Sequence, residues 1–175
     1  MAKSEVRQAT PLAYAELATP AGRLTVIVDP KDGAVVASGF GGKARVVGQL
    51  PPELAGRRVE AGSVGPVAGA VAAWSAGDLK ALDRVKVRQP GSEFMTAAWL
   101  ALRQVPAGEV VTYAELAELA GRPRAARAAG TACSSNRVAP FVPCHRVVPA
   151  SGGVGNYGFG VDVKVALLRH EGAVI

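Results

Sequence analysis

The sequence predicts an α+β protein in two parts, strand-rich in its first half and mainly helical in its second. Three observations carry this. Residues 12–40 hold three short runs of strand-forming residues separated by turn signals. From residue 92 onward, apolar residues recur at helical spacing behind capping residues. Between the halves, Arg88-Gln89-Pro90-Gly91 places a φ-restricted residue beside a permissive one and favours a turn. The first domain is therefore drawn over residues 1–88 and the second over residues 89–175.

In the first half, residues 12–18 and 24–29 read as a hairpin closed by Thr19-Pro20-Ala21-Gly22. Pro30-Lys31-Asp32-Gly33 turns the chain again, and residues 34–40 give a third strand that Gly41-Gly42 ends. A three-stranded meander is the economical arrangement. A polar passage follows around Pro51-Pro52, and the alanine-rich residues 64–76 then predict one helix on the sheet, stopped by Gly77. No polar residues group here in a way that suggests chemistry, so this half reads as scaffold.

In the second half, Ser92 offers an N-cap to a helix over residues 94–102. That segment is apolar on nearly every face, Trp99 and Leu100 included, which predicts burial all round. Pro106-Ala107-Gly108-Glu109 stops it. Thr112-Tyr113-Ala114-Glu115 fits a capping box, with Leu116, Leu119 and Ala120 following at helical spacing. After Gly121-Arg122, Pro123 suits a first helical position, so the next helix is drawn from 123 to about 134. Two short helices across a tight turn make a helix-turn-helix pattern.

Composition bounds the partner. The chain has 175 residues and a formal charge of +6, from 20 Lys and Arg against 14 Asp and Glu. Arginine dominates the basic set and suits phosphate contacts, so an anionic partner is expected. The second helix of the pair is almost without bulk, its long side chains being Arg124 and Arg127. Taken alone, its alanines could serve only helix formation and tight packing. Beside Arg122, Arg124, Arg127, Arg137 and Arg146, the same small face suits a narrow nucleic-acid groove. No apolar run reaches membrane-spanning length, and Met1 to Glu5 lack the apolar core of a signal peptide, so no membrane partner and a cytoplasmic location are expected.

The reactive residue stands in Pro143-Cys144-His145-Arg146-Val147. A soft nucleophile, a proton acceptor and a permanent cation follow one another, the setting of an activated thiol. Buried packing alone could also explain a Cys-His pair, so the flanking residues decide. Cys133, Cys144, His145 and His170 could be counted as metal ligands, but adjacent Cys and His side chains rarely reach one ion, and no metal or organic cofactor is expected.

The combined pattern resembles the O6-alkylguanine-DNA alkyltransferase family. It comprises residues 94–102, Pro106-Ala107-Gly108, Thr112-Tyr113, residues 124–130, Asn136, residues 143–147, Gly155-Asn156-Tyr157-Gly158 and residues 167–172, in order. The resemblance implies a ribonuclease-H-like first domain and a winged-helix-like DNA-binding second domain. Cys144 becomes the alkyl acceptor, taking a methyl or larger group from O6 of guanine, or from O4 of thymine, in a single turnover. His145 acts as its base through a water, and Glu171 orients His145. Tyr113 assists the leaving guanine, and Asn136 ties the recognition helix to the cysteine loop. Arg127 enters the space left by a flipped nucleotide, while Arg124, Ala126 and Thr112 lie against the DNA. Tyr157, Gly158, Cys133 and Val147 line the pocket. The implied partner is double-stranded DNA carrying O6-alkylguanine, met by a monomer, with cooperative assembly on DNA left open.

Three positions depart from the family: Arg137 where proline is usual, Cys133 as a second thiol, and Phe159 where small residues are common. Cys133 reads first as a small apolar filler, and Pro140 could restore some of the restriction lost at Arg137. Asp162 and Lys164 are read as solvated and His170 as structural or exposed. Two rivals remain: a non-catalytic alkylated-base-binding protein, which Cys144 argues against, and a cysteine hydrolase, which leaves the arginine-bearing helices unexplained.

Overall fold

The structure, a computed structural model, describes residues 9–175. The leader expectation drawn on Met1 to Glu5 lies outside the described residues. Two compact units divide between Gln89 and Pro90.

In the first unit, β1 (Leu12–Thr19) and β2 (Gly22–Val28) form the expected hairpin, with Thr19 opposite Gly22. The Thr19 hydroxyl accepts from the Ala21 amide at 3.1 Å, and Gly22 supplies the φ of 115° that closes the turn. β3 (Val35–Gly39) lies antiparallel on β2. The meander is not the whole sheet. β4 (Val59–Ala61) adds to the other side of β1 in parallel, giving a mixed sheet of order β3-β2-β1-β4. Three residues with one Val give no alternation to detect, and pairing with β1 makes them a strand. The helix α1 (Lys43–Val47) was likewise not expected, because five residues are too few to show a period.

Val46 on α1, with Leu50 and Leu54, covers Leu12, Ile27, Val36 and Ala37. The predicted helix forms as α2 (Pro66–Ser75), with Pro66 in its first turn and Trp74 buried. Asp29 is buried but paired, 2.8 Å from Arg88 and 3.8 Å from Arg57.

In the second unit, Ser92 caps α3 (Glu93–Gln104) by accepting from the Met95 amide at 3.1 Å. The all-round burial expected for this helix does not hold. Phe94, Ala98, Trp99 and Leu102 are buried, but Leu100 on the opposite side is 62% exposed. Trp99 donates its indole N–H to Ala132 O at 2.9 Å, which ties α3 to α5. The capping box at α4 (Tyr113–Leu119) is complete, and such a cap contributes about 1 kcal/mol.

The next helix, α5, runs Ala126–Ser134 and starts three residues later than expected. Gly121 at φ 90° lets the Arg122 amide bond back to Ala117 O, so residues 122–125 turn the chain before α5 begins. β5 (Val111–Thr112) and β6 (Val147–Val148) pair in parallel, and α6 (Val161–His170) follows. Among the described residues, no helix is long and apolar enough to cross a membrane.

Candidate active site

All of the expected site residues belong to the second unit. Cys144 begins a single 3₁₀ turn, Cys144–Arg146, between Pro143 and β6. The turn buries His145 and Arg146 while Cys144 stays partly exposed.

Behind the cysteine, His145 and Glu171 meet with Nε2 and Oε1 2.7 Å apart, both fully buried. Arg146 Nε donates to the same Oε1 at 3.0 Å, and its Nη2 donates to Oε2 at 2.6 Å. Its Nη1 goes to Val105 O at 2.7 Å, so the guanidinium is anchored on α3's end as well. Burial works against ionisation of Glu171, yet hydrogen bonds from His145 and Arg146 hold its carboxyl down to about 2. Burial pulls the His145 pKa down, against the opposing hydrogen bond to Glu171. A neutral imidazole therefore donates its Nε2–H in a hydrogen bond to the carboxylate and presents Nδ1 as a bare acceptor. Nδ1 has no hydrogen-bond partner among the described residues.

Arg146 is thus not part of the basic surface that its place in the sequence suggested. The carboxylate consumes it.

Asn136 connects the end of α5 to the cysteine. Its Nδ2 donates to Val142 O at 2.8 Å and to Cys144 Sγ at 3.3 Å, while Oδ1 accepts from the Val138 amide at 3.2 Å. Burial pushes the Cys144 thiol up, and the Asn136 bond and the Lys164 charge act in the opposite direction. Cys133 on α5 is also partly exposed, and burial raises its thiol to about 12.

Tyr113 opens α4 and lies against α5, where Gly130 leaves room for its ring: a Cβ at 130 would sit 3.9 Å from Cδ1. Burial is the main cause of its raised hydroxyl pKa, with both sulfurs contributing. Tyr157 lies in the loop before α6 with its hydroxyl buried and unpartnered among the described residues. Phe159 meets it edge-on, with ring centroids 5.6 Å apart. Val147 is buried in β6, and its carbonyl accepts from Lys164 at 2.7 Å. Gly158 is exposed beside Tyr157.

Lys164 corrects the sequence reading outright: it is 1% exposed, not solvated. Asp162 is exposed and His170 half-buried. Arg124 and Arg127 are exposed on the turn and on the first turn of α5, and Arg122 lies 5.4 Å from the Phe94 ring centroid. Residues 122–125 line an open depression of about 420 Å³. Thr112 spends its hydroxyl on the Glu115 amide, and Ala126 is half-buried at the start of α5. Among the described residues, no group of three or more His, Cys, Asp or Glu side chains could hold a metal ion.

The geometry therefore joins Cys144, Asn136, His145 and Glu171 by hydrogen bonds or chain adjacency, with Tyr113, Cys133 and Tyr157 within electrostatic reach of the sulfur. Sequence reasoning missed two contributors, Arg146 as the clamp on Glu171 and Lys164 as a buried cation.

Comparison with known proteins gives the same direction. A family model described as 6-O-methylguanine DNA methyltransferase, DNA binding domain, matches residues 93–173. The methylated-DNA–protein-cysteine methyltransferase of Salmonella typhimurium is 41% identical over 118 residues, 67% of this chain and 69% of that protein. The protein of that name from Methanosarcina acetivorans is 46% identical over 101 residues, 58% of this chain and 64% of that protein. The crystal structure of Mycobacterium tuberculosis O6-methylguanine methyltransferase superposes with a TM-score of 0.74 at 31% identity, covering 92% of this chain and 93% of that one. The Mycobacterium tuberculosis protein in complex with DNA gives 0.72 at 28% identity, covering 91% and 92%.

Proposed function

The chain belongs to the family of methylated-DNA–protein-cysteine methyltransferases, enzymes of direct-reversal DNA repair, and from that premise we propose how its own residues carry the transfer. The observation that carries the proposal is that two residues adjacent in the chain, Cys144 and His145, each have a polar partner of the kind the chemistry needs. Asn136 donates to Cys144 Sγ, and His145, the next residue in the chain, is buried, paired with Glu171 and keeps an Nδ1 without a partner among the described residues.

In this reading the Cys144 thiol gives its proton, through a water, to His145 Nδ1, and the Glu171 carboxylate, held in place by Arg146, stabilises the imidazolium that forms. The sulfur lone pair attacks the alkyl carbon in line, the carbon–O6 bond breaks, and its electrons pass to the guanine. Tyr113 gives the leaving ring a proton, and the imidazolium restores it to the tyrosinate through water, so the thiol proton ends on guanine. The product is a thioether, which has no electrophilic carbonyl for water to attack, so each molecule reacts once.

The target atom is inside the duplex, so the nucleotide must leave the stack at a cost of a few kcal/mol. Arg127 fills the space it leaves, and Arg124, Ala126 and Thr112 lie along the DNA. Tyr157, Gly158, Cys133 and the Val147 backbone surround the base. Residues 1–88 act as scaffold, residues 89–175 carry the chemistry, and the chain works as a monomer on double-stranded DNA in the cytoplasm, without a cofactor.

Excess duplex carrying O6-methylguanine tests this. Transfer reaches a plateau at one methyl per protein and is abolished in Cys144→Ser. A steady rate beyond one equivalent, or transfer by the serine variant, contradicts it.

A further inference from the structure

Lys164 occupies a position on α6 that its neighbours mark as interior. It shares a helix face with Leu167, Leu168 and Glu171, at spacings of three, four and seven, and all four are buried. A buried ammonium is expensive unless something nearby requires it. Its Nζ donates to Val147 O at 2.7 Å and to Asn156 O at 3.2 Å. Val147 lies three residues beyond Cys144, and Asn156 adjoins Tyr157. The Cβ that any other residue would carry at Gly155 would come within 2.8 Å of Pro149 and 3.7 Å of this Nζ, so the backbone closes tightly around the cation. Two of three N–H groups are thereby used, and the third has no acceptor among the described residues.

The charges around the cysteine show what this cation faces. Asn136 donates to Sγ but is neutral, and Tyr113 from α4, Cys133 from α5 and Tyr157 from the loop before α6 carry no positive charge. Glu171 takes hydrogen bonds from both His145 and Arg146, and its charge offsets the guanidinium. The charges that act on Lys164 are those that Cys144 and Cys133 carry when ionised, and no carboxylate is among them.

We propose that Lys164 is the counter-cation of the Cys144 thiolate, pinned by the Val147 and Asn156 carbonyls so that its field falls on the sulfur. When the thiol proton leaves toward His145, the negative charge on Sγ is balanced by this ammonium. When the sulfur–carbon bond forms, sulfur becomes neutral and the pairing ends. This deepens the reading of Cys144 as the alkyl acceptor and rests on it, yet ionisation of the thiol is measurable without DNA.

The experiment follows site-resolved alkylation of Cys144 by iodoacetamide against pH, scored by peptide mass, in wild type, Lys164→Gln and Lys164→Met. Gln can keep one carbonyl contact without the charge, and Met keeps neither. The midpoint of the profile moves up by about one pH unit in both variants, about ten-fold slower at neutral pH, with the alkaline plateau retained. An unmoved midpoint with a lowered plateau means that Lys164 only braces the loop, and overturns the proposal. Should the variants not fold, wild type still decides by nitrogen NMR of Lys164 Nζ. Its resonance titrates with Cys144 and loses that step once Cys144 is capped as a thioether; a signal indifferent to capping also overturns it. A wild type that shows this coupling but takes no methyl from O6-methylguanine would sink the proposed function alone.

Discussion

His145 Nε2 lies 2.7 Å from Glu171 Oε1, across 25 intervening residues, and the same carboxylate takes two more hydrogen bonds from Arg146. The contact sets the imidazole tautomer and leaves Nδ1 as the open acceptor. Glu171→Gln keeps the shape and removes the charge, leaving Arg146 buried without its counter-ion. A buried pair broken on one side costs about 3–5 kcal/mol, so thermal unfolding shifts well down. Transfer from O6-benzylguanine slows by at least about ten-fold, because imidazolium is no longer stabilised. Unchanged stability in the variant contradicts the assigned clamp.

The same cluster sets the acid limb of stability. Glu171 titrates near 2 when folded against a usual 4.5, so it binds fewer protons than in the unfolded chain between those values. Its stabilisation is present above 4.5 and is lost as pH falls toward 2. His145 is also depressed, below 6.5, so the unfolded chain takes up a proton first and stability begins to fall as pH drops through 6.5. Urea unfolding at pH 7.5, 5.5 and 4 checks this. Stability declines in that order in wild type, and the first step disappears in a folded His145→Gln variant.

Gly130 sits beneath the Tyr113 ring, with an ideal Cβ 3.9 Å from Cδ1 and 4.0 Å from Cε1. Those are ordinary contact distances. Gly130→Ala is therefore accommodated and gains about 1 kcal/mol from helix propensity, with an unchanged transfer rate. Gly130→Val adds branches that press on the ring and slows transfer without unfolding α5. Differential scanning calorimetry and single-turnover kinetics on both variants separate the two effects.

Arg127 is exposed, and among the described residues its side chain has no hydrogen-bond or ion-pair partner that truncation would remove. Arg127→Ala leaves thermal stability within about 0.5 kcal/mol. It slows repair of duplex DNA far more than reaction with free O6-benzylguanine, since only the duplex requires an extruded base. Equal losses on both substrates remove Arg127 from the flipping step.

Much of the site was legible because its residues sit at short spacing behind strong local signals. The Thr112 to Glu115 capping box placed Tyr113 at a helix start, and Pro143 through Val147 singled out Cys144 and His145, the second of which joins the buried Glu171 cluster. The hairpin was readable from Thr19 to Gly22 for the same reason. What escaped depended on partners far away in the chain. Arg146 beside His145 looks like one more surface cation, and only folding brings it to Glu171 and Val105. β4 becomes a strand through pairing with β1. Lys164 did leave a trace, since its spacing to Leu167, Leu168 and Glu171 follows the buried face of α6. The assumption that lysine means solvent hid it. The late start of α5 has a local cause, the Gly121 turn, that Pro123 masked.

In the proposed reaction the Cys144 sulfur keeps the carbon it removes. Incubation with an oligonucleotide carrying O6-methylguanine, followed by intact and peptide mass measurement, tests it most directly. One added methyl is expected, on the peptide containing Cys144 and absent from Cys133. Methyl found on another residue, or guanine restored with the protein mass unchanged, contradicts it.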